Sequence, residues 1–238
     1  MNQLYIRGVH IDWDAIDPES YVQDITAFQH VEDIAFERPV TFFVGENGSG
    51  KSTLMEAIAV NHGFNPEGGS KNYNFSTHEF HSDLEEGIRL VKGVHKERTG
   101  YFLRAESFFN VATKEEEYAD AAHPSGEYHM KSHGEGFLEL MRNILRPNGL
   151  YIFDEPEAAL SPQRQLTLLL EIERCTRQGS QFIITTHSPI LLGLPDADIL
   201  CFDDGEIHRC AYEDTESYRV MEMFINHRQS LLNHLMDN

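Results

Sequence analysis

The chain has 238 residues, 40% of them hydrophobic, and a formal net charge of −20 from 39 acidic and 19 basic side chains. That length and apolar content suit one large α/β domain, or one domain with a small inserted lobe. The acidic balance gives naked DNA and anionic membrane surfaces little long-range attraction, and no apolar run approaches the roughly 20 residues that span a bilayer.

Residues 1–44 alternate apolar and polar positions, with Leu4, Ile6, Val9 and Ile11 in step, around a Pro- and Asp-rich stretch at 12–19. Two or three strands with a long loop between them are predicted. Nothing in this start resembles a secretory signal, so a soluble, cytoplasmic protein is expected. The last strand, VTFFV at 40–44, runs into GENGSGKST at 45–53 and on into a helix-forming run, TLMEAIA at 53–59. Gly45, Gly48 and Gly50 let this loop wrap tightly. Its N–H groups, through Glu46, Asn47, Ser49 and on to Thr53, then face phosphates together with the positive end of the helix. Lys51 adds a full charge against the β- and γ-phosphates, and Ser52 supplies a hydroxyl for Mg²⁺. A nucleoside triphosphate site is predicted here.

From 61 to 100 the composition turns polar, with His62, His78, His81 and His95 among Gly, Asn and Ser. A loop-rich inserted lobe is expected, reaching to about residue 130 within a single domain spanning 1–238. The histidines lack tight metal spacing and read as solvated. A strand resumes at 101–104, and the acidic run at 115–117 reads as a solvated helix face. KSHGEG at 131–136 precedes the helical pattern of Phe137, Leu138, Leu140, Met141, Ile144 and Leu145, which RPNG at 146–149 stops.

The apolar strand LYIF at 150–153 ends in Asp154-Glu155-Pro156-Glu157, and Ser161-Pro162 opens a helix running to about 178. QFIITT at 181–186 is another apolar strand, ending at His187. A hairpin turn at 203–206 and a closing amphipathic helix at 217–235 complete the chain. Apolar strands alternating with helices predict a P-loop α/β fold. It has a mostly parallel central sheet flanked by helices, an N-terminal antiparallel β portion, and ligands at the carboxyl ends of the strands. Cys175, Cys201 and Cys210 are odd in number and lack C-x-x-C spacing, and are expected to be reduced packing residues.

Asp154 ends a buried strand where its carboxylate can reach Mg²⁺ held by Ser52, directly or through water; a buried structural aspartate is the alternative. Glu155 follows at once, and strand alternation would turn it to the other side, toward an attacking water. His187, at the tip of the neighbouring strand, can hydrogen-bond the γ-phosphate or the water, although a strand-end histidine is as often structural. Ser132 and Gly134 stand at a helix N-terminus that can hold an anion, where Ser132 to Glu135 is also an ordinary capping box. Tyr21 or Phe28 can stack a base, with core packing the alternative for Phe28.

The order of these motifs resembles the ATP-binding-cassette class of P-loop ATPases over most of residues 38–205. In that resemblance, Lys131-Ser132-His133-Gly134-Glu135 takes the place of the signature segment, Ala159-Leu160-Ser161 that of the D-loop, and His187 that of the switch histidine. Glu155 takes the general base. The resemblance implies ATP and Mg²⁺ as ligands and an ATP-sandwiched homodimer in which the signature closes over the other subunit's nucleotide. His133 and Glu135 replace the signature's glycine and glutamine, Ser161 replaces the D-loop aspartate, and Arg104 or Glu106 stands where a glutamine would. The stretch from Glu106 to Ser132 is too short for the lobe by which transporter subunits grip a membrane partner. The chain looks more like stand-alone AAA-type ATPases related to SMC and recombination ATPases. Its expected function is ATP hydrolysis coupled to an unidentified protein partner, in repair or defence among other settings. A transporter's ATP-binding subunit and a non-hydrolysing nucleotide switch are the alternatives.

Overall fold

The computed structural model describes residues 4–29, 31–71, 83–104 and 133–236. Its centre is a six-stranded sheet. Four parallel strands run β5 (Thr99–Arg104), β6 (Gly149–Asp154), β7 (Gln181–Thr185) and β3 (Val40–Val44), followed by parallel β8 (Asp198–Cys201) and antiparallel β9 (His208–Arg209). A smaller antiparallel sheet is ordered β2 (Asp33–Ala35), β1 (Ile6–Ile11) and β4 (Ile88–Lys92). The described helices are α1 (Lys51–His62), α2 (Leu84–Gly87), α3 (His133–Ile144), α4 (Pro162–Arg177), α5 (Pro189–Leu192) and α6 (Glu216–Met236).

Strands β3 and β7 are buried at every position, which requires apolar residues on both faces. Alternate residues supply two cores. Phe42, Tyr151, Phe153, Phe182 and Ile184 pack with Phe137, Leu140, Met141, Leu168 and Ile172 of α3 and α4. Phe43, Leu150, Ile152 and Ile183 pack with Leu54, Met55 and Ile58 of α1 and with the small sheet. The Tyr151 ring stacks on Phe182 with centroids 4.9 Å apart. Its hydroxyl accepts the Arg146 N–H at 2.6 Å and lies 3.1 Å from the Ile144 carbonyl, tying the end of α3 to the sheet. Burial pushes that phenol up to about 12.

One polar side chain joins the two sheets. Gln181, fully buried, accepts the Tyr5 and Ile6 N–H groups at 2.7 and 3.0 Å through Oε1 and donates to the Ile6 carbonyl at 2.7 Å through Nε2. Its amide acts as a further backbone unit, so these buried groups stay paired.

Several sequence expectations need correction. Residues 84–92, expected within a loop-rich lobe, form α2 and β4, and β4 joins the small sheet by pairing with β1, whereas β5 falls where a strand was expected. His78 and His81 lie outside the described residues. His62 is buried at the end of α1, with Nε2 3.0 Å from Glu97, whose carboxylate also accepts Lys71 at 2.6 Å. Cys201 and Cys210 are not reduced packing residues but a disulfide, because the antiparallel return from β8 to β9 brings their Cα atoms to 6.4 Å; Cys175 is free and buried. The C-terminal helix forms, yet α6 buries none of its residues fully and kinks at His227. It joins the body near its first turn, where Tyr218 meets Tyr212.

Burial, with Lys71 adding, lowers the His62 pKa from 6.5, so the folded imidazole is neutral and its contact to Glu97 is a hydrogen bond rather than an ion pair. A neutral Nε2–H tautomer agrees with the buried, unpartnered Nδ1. Burial is the largest influence on Glu97 and pushes it up, but the Lys71 hydrogen bond, a backbone hydrogen bond and the neighbouring charges together outweigh it and leave that carboxyl below 4.5. Both groups therefore stabilise the fold above their unfolded pKa values and lose that contribution as pH falls, His62 first, below 6.5. Between about pH 7 and about pH 5.5 the melting temperature should fall, and fall less in His62→Gln. Thermal melts of both proteins at the two pH values check this, and equal drops would refute the assignment.

Candidate nucleotide site

The cleft forms where β3, β6 and β7 end together. After Val44 the chain turns at Gly45, where a Cβ would lie 2.8 Å from Asp203 Oδ1; that oxygen accepts the Glu46 N–H at 3.2 Å. The loop closes at Gly50, in the left-handed region at φ 94°, which starts α1. A Cβ on Gly50 would stand 2.7 Å from Ile25 and 2.8 Å from the ring of fully buried Phe28. Lys51 lies inside this loop. Its ammonium donates to the carbonyls of Gly45 at 2.8 Å and Glu46 at 2.6 Å, with Ser49 Oγ at 3.3 Å. Burial lowers its pKa, while Glu155, Asp203 and Asp154 act to raise it, so the cleft holds one buried cation among three carboxylates.

At the tip of β6, Asp154 Oδ1 accepts the Ser52 hydroxyl at 3.2 Å and also the hydroxyl of Thr185, its register partner on β7. Glu155 is not turned by strand alternation, as the sequence suggested. It has left the strand in a left-handed conformation, φ 46° and ψ 56°, held by its N–H donating to the Thr185 carbonyl at 3.1 Å and hydroxyl at 3.0 Å. This turn brings Glu155 Oε1 to 3.7 Å from His187 Nε2, and both side chains are about two-fifths exposed, at 42% and 40%.

A cleft of about 340 Å³ is lined by Tyr21, Asn47, Gly48, Lys51, Ser52, Thr53 and Glu155. A larger hollow, about 970 Å³, shares Asn47 and Gly48 with it but is walled by Asp203, Arg209 and the start of α6. The smaller cleft is the one with phosphate chemistry, since it holds Lys51, Ser52 and Glu155. Hydroxyl and carboxylate oxygens at Ser52 and Asp154 are the hard donors that Mg²⁺ prefers. Among the described residues no group of three His, Cys, Asp or Glu side chains could hold a metal.

Tyr21 lies on the cleft wall and is 55% exposed, whereas Phe28 belongs to the core. Arg104 turns to Glu56 of α1 at 3.0 Å. Gly134 lies in the first turn of α3; Ser132 and Glu106 lie outside the described residues. Sequence reasoning missed Thr185 and Glu157. The first was visible only as one of two threonines before His187, and the second shares a motif with Asp154 and Glu155 without a signal of its own.

A parallel sheet that ends one strand in a glycine loop around a buried lysine, and the next but one in Asp-Glu, is the arrangement of a P-loop nucleotide-binding fold. The chain belongs to the AAA-domain family, whose model, described as an AAA domain, matches residues 21–143. A second AAA-domain model, whose description adds the AbiEii toxin of a Type IV TA system, matches residues 137–193. A comparison with curated proteins gives no match.

Among solved structures, the Smc head bound to the C-winged helix domain of ScpA aligns with a TM-score of 0.50 at 15% identity, over 88% of this chain and 99% of that one. The SMC head domain from Thermotoga maritima aligns at 0.45 and 16%, over 87% and 98%. CbiO1 from Clostridium perfringens, part of the ABC transporter complex cbiONQ, aligns at 0.47 and 15%, over 99% and 100%. Family and fold together support ATP binding and hydrolysis in general terms. Among the described residues no helix is long and apolar enough to cross a membrane.

Gly50→Ala should strain the loop by about 1–3 kcal/mol, because it places a side chain at positive φ against packed Ile25 and Phe28. A lower melting temperature together with weakened binding of a fluorescent ATP analogue is expected. Unchanged binding would show that the loop tolerates the shift.

Proposed function

We propose that the chain hydrolyses ATP to ADP and phosphate in a Mg²⁺-dependent, ATP-sandwiched homodimer. The observation that carries this reading is the pairing of Ser52 with Asp154 at 3.2 Å beside the pairing of Glu155 with His187 at 3.7 Å, both next to Lys51. The loop N–H groups at 45–53 and Lys51 would bind the β- and γ-phosphates and oppose the charge that develops in transfer. Ser52 and Asp154 would hold Mg²⁺, which when bound neutralises phosphate oxygens. Glu155 would accept a proton from a water whose oxygen attacks the γ-phosphorus as the bond to the bridging β–γ oxygen breaks. His187 would donate to a γ-phosphate oxygen or orient that water.

Tyr21, exposed on the cleft wall, would stack the adenine. Ser132 and Gly134 of the partner subunit would close over the phosphates, making the site complete only in the dimer. With a net charge of −20, the partner that senses this cycle is proposed to be a protein rather than a nucleic acid.

Glu155→Gln should lower phosphate release by about a hundredfold or more while retaining ATP and trapping the dimer. Light scattering after size exclusion, with and without Mg-ATP, alongside phosphate release, reads both properties. A variant that stays monomeric with ATP, next to a wild type without turnover, would sink the sandwich mechanism and leave a nucleotide-dependent switch.

A further inference from the structure

Glu157 has no part in the hydrolytic chemistry above, yet it is bonded to the residue that does. It lies in the 3-10 turn Pro156–Ala159 that follows Glu155. Its Oε1 accepts the backbone N–H of His187 at 2.7 Å, while Oε2 is closed off from solvent with no hydrogen-bond partner among the described residues. We infer that Glu157 is a positioning residue for the hydrolytic reaction, pinning the His187 backbone and so setting where the imidazole stands relative to Glu155. This rests on the ATPase reading of the same site.

The need for such a clamp follows from the chain's path. β7 ends at Thr185, so the sheet ladder no longer holds the peptide of His187. The direction of its side chain therefore depends on what else holds that backbone. Glu157 supplies the hold on one side.

A second side chain braces the other side. Gln165 of α4 donates to the Leu160 carbonyl at 3.0 Å and accepts the Ser188 hydroxyl at 2.6 Å, while that hydroxyl's oxygen accepts the Ile190 and Leu191 N–H groups at the start of α5. The Ser188 N–H in turn donates to Thr186 Oγ1 at 3.0 Å. The segment after β6 and the segment after β7 are thus bolted together on both sides of His187. A carboxyl so placed works by shape. Burial, with the Glu155 charge adding, holds its pKa above 4.5; the clamp itself needs only an acceptor oxygen for the His187 N–H, which an amide of the same outline also supplies.

Steady-state kinetics of the full chain with Mg-ATP should separate the roles. In Glu157→Ala, kcat is expected to fall about tenfold with KM within about twofold, because the interaction acts on the reacting geometry rather than on binding. Glu157→Gln should stay within about twofold of wild type, in contrast to Glu155→Gln, and it guards against a folding failure of the alanine variant. Hydrogen exchange at the His187 amide reads the clamp independently of turnover, with protection lost in the alanine variant and kept in the glutamine variant. Wild-type kcat and unchanged exchange in Glu157→Ala would overturn the inference, as would a Glu157→Gln protein as inactive as Glu155→Gln, since a charge would then be required. A wild type without turnover that still shows the exchange contrast would support the clamp and overturn the hydrolase reading instead.

Discussion

Lys51, Ser52, Asp154, Glu155 and His187 all follow the carboxyl ends of three parallel strands, and the hydrogen-bonded register of β3, β6 and β7 is what aligns them. Thr185 pairs with Phe43 on one side and with Asp154 on the other. That single residue fixes the level at which the glycine loop, the Asp154 carboxylate and the His187 turn all begin. A slip of one residue in either ladder would exchange the two faces of a strand buried on both, driving residues of one core into the other. Packing of Phe42, Phe153 and Phe182 on one face, and of Phe43, Ile152 and Ile183 on the other, therefore does more than stabilise the domain. It sets the spacing of the chemistry above it.

Charge in the cleft is arranged around Lys51. A primary ammonium has three donors, and each finds an acceptor on the loop itself, at Gly45, Glu46 and Ser49. Desolvation alone would favour the neutral amine, and three nearby carboxylates counter it. A phosphate oxygen reaching this nitrogen would replace a neutral acceptor with a charged one, and charge-assisted bonds are the stronger. The loop is thus held in shape by the same group that a phosphate would recruit, which couples loop geometry to binding.

What the sequence disclosed follows from range. The glycine loop, the strand before it and the helix after it are specified by neighbouring residues, so GENGSGKST was legible together with its shape. Asp154, Glu155 and His187 were legible because each ends an apolar run. Groups whose surroundings come from distant segments were not. His62 looked like one histidine in a polar stretch, but Glu97, 35 residues along, closes over it together with Lys71, which reaches Glu97 across 26 residues. Cys201 meets Cys210 only because β9 turns back along β8. The strand β4 was hidden because its mate, β1, lies at the other end of the small sheet's connectivity. Gln181 looked like the polar start of a strand and serves as the join between sheets.

The turn at Glu155 shows why alternation was the wrong argument for separating it from Asp154. Asp154 and Glu155 do address different neighbours, but the cause is a left-handed backbone at a residue with a side chain, a conformation that costs on the order of 1–3 kcal/mol. Such a residue persists only where its surroundings over-determine it. Here the Glu155 N–H is held by both oxygens of Thr185, and its carbonyl accepts the Ala158 N–H at 3.1 Å. Thr185 thereby serves two carboxylates at once, donating its hydroxyl to Asp154 and accepting the amide of Glu155. One hydroxyl on β7 sets the Asp154 and Glu155 carboxylates relative to each other, and the strain at Glu155 keeps the second acid out of the strand and beside His187.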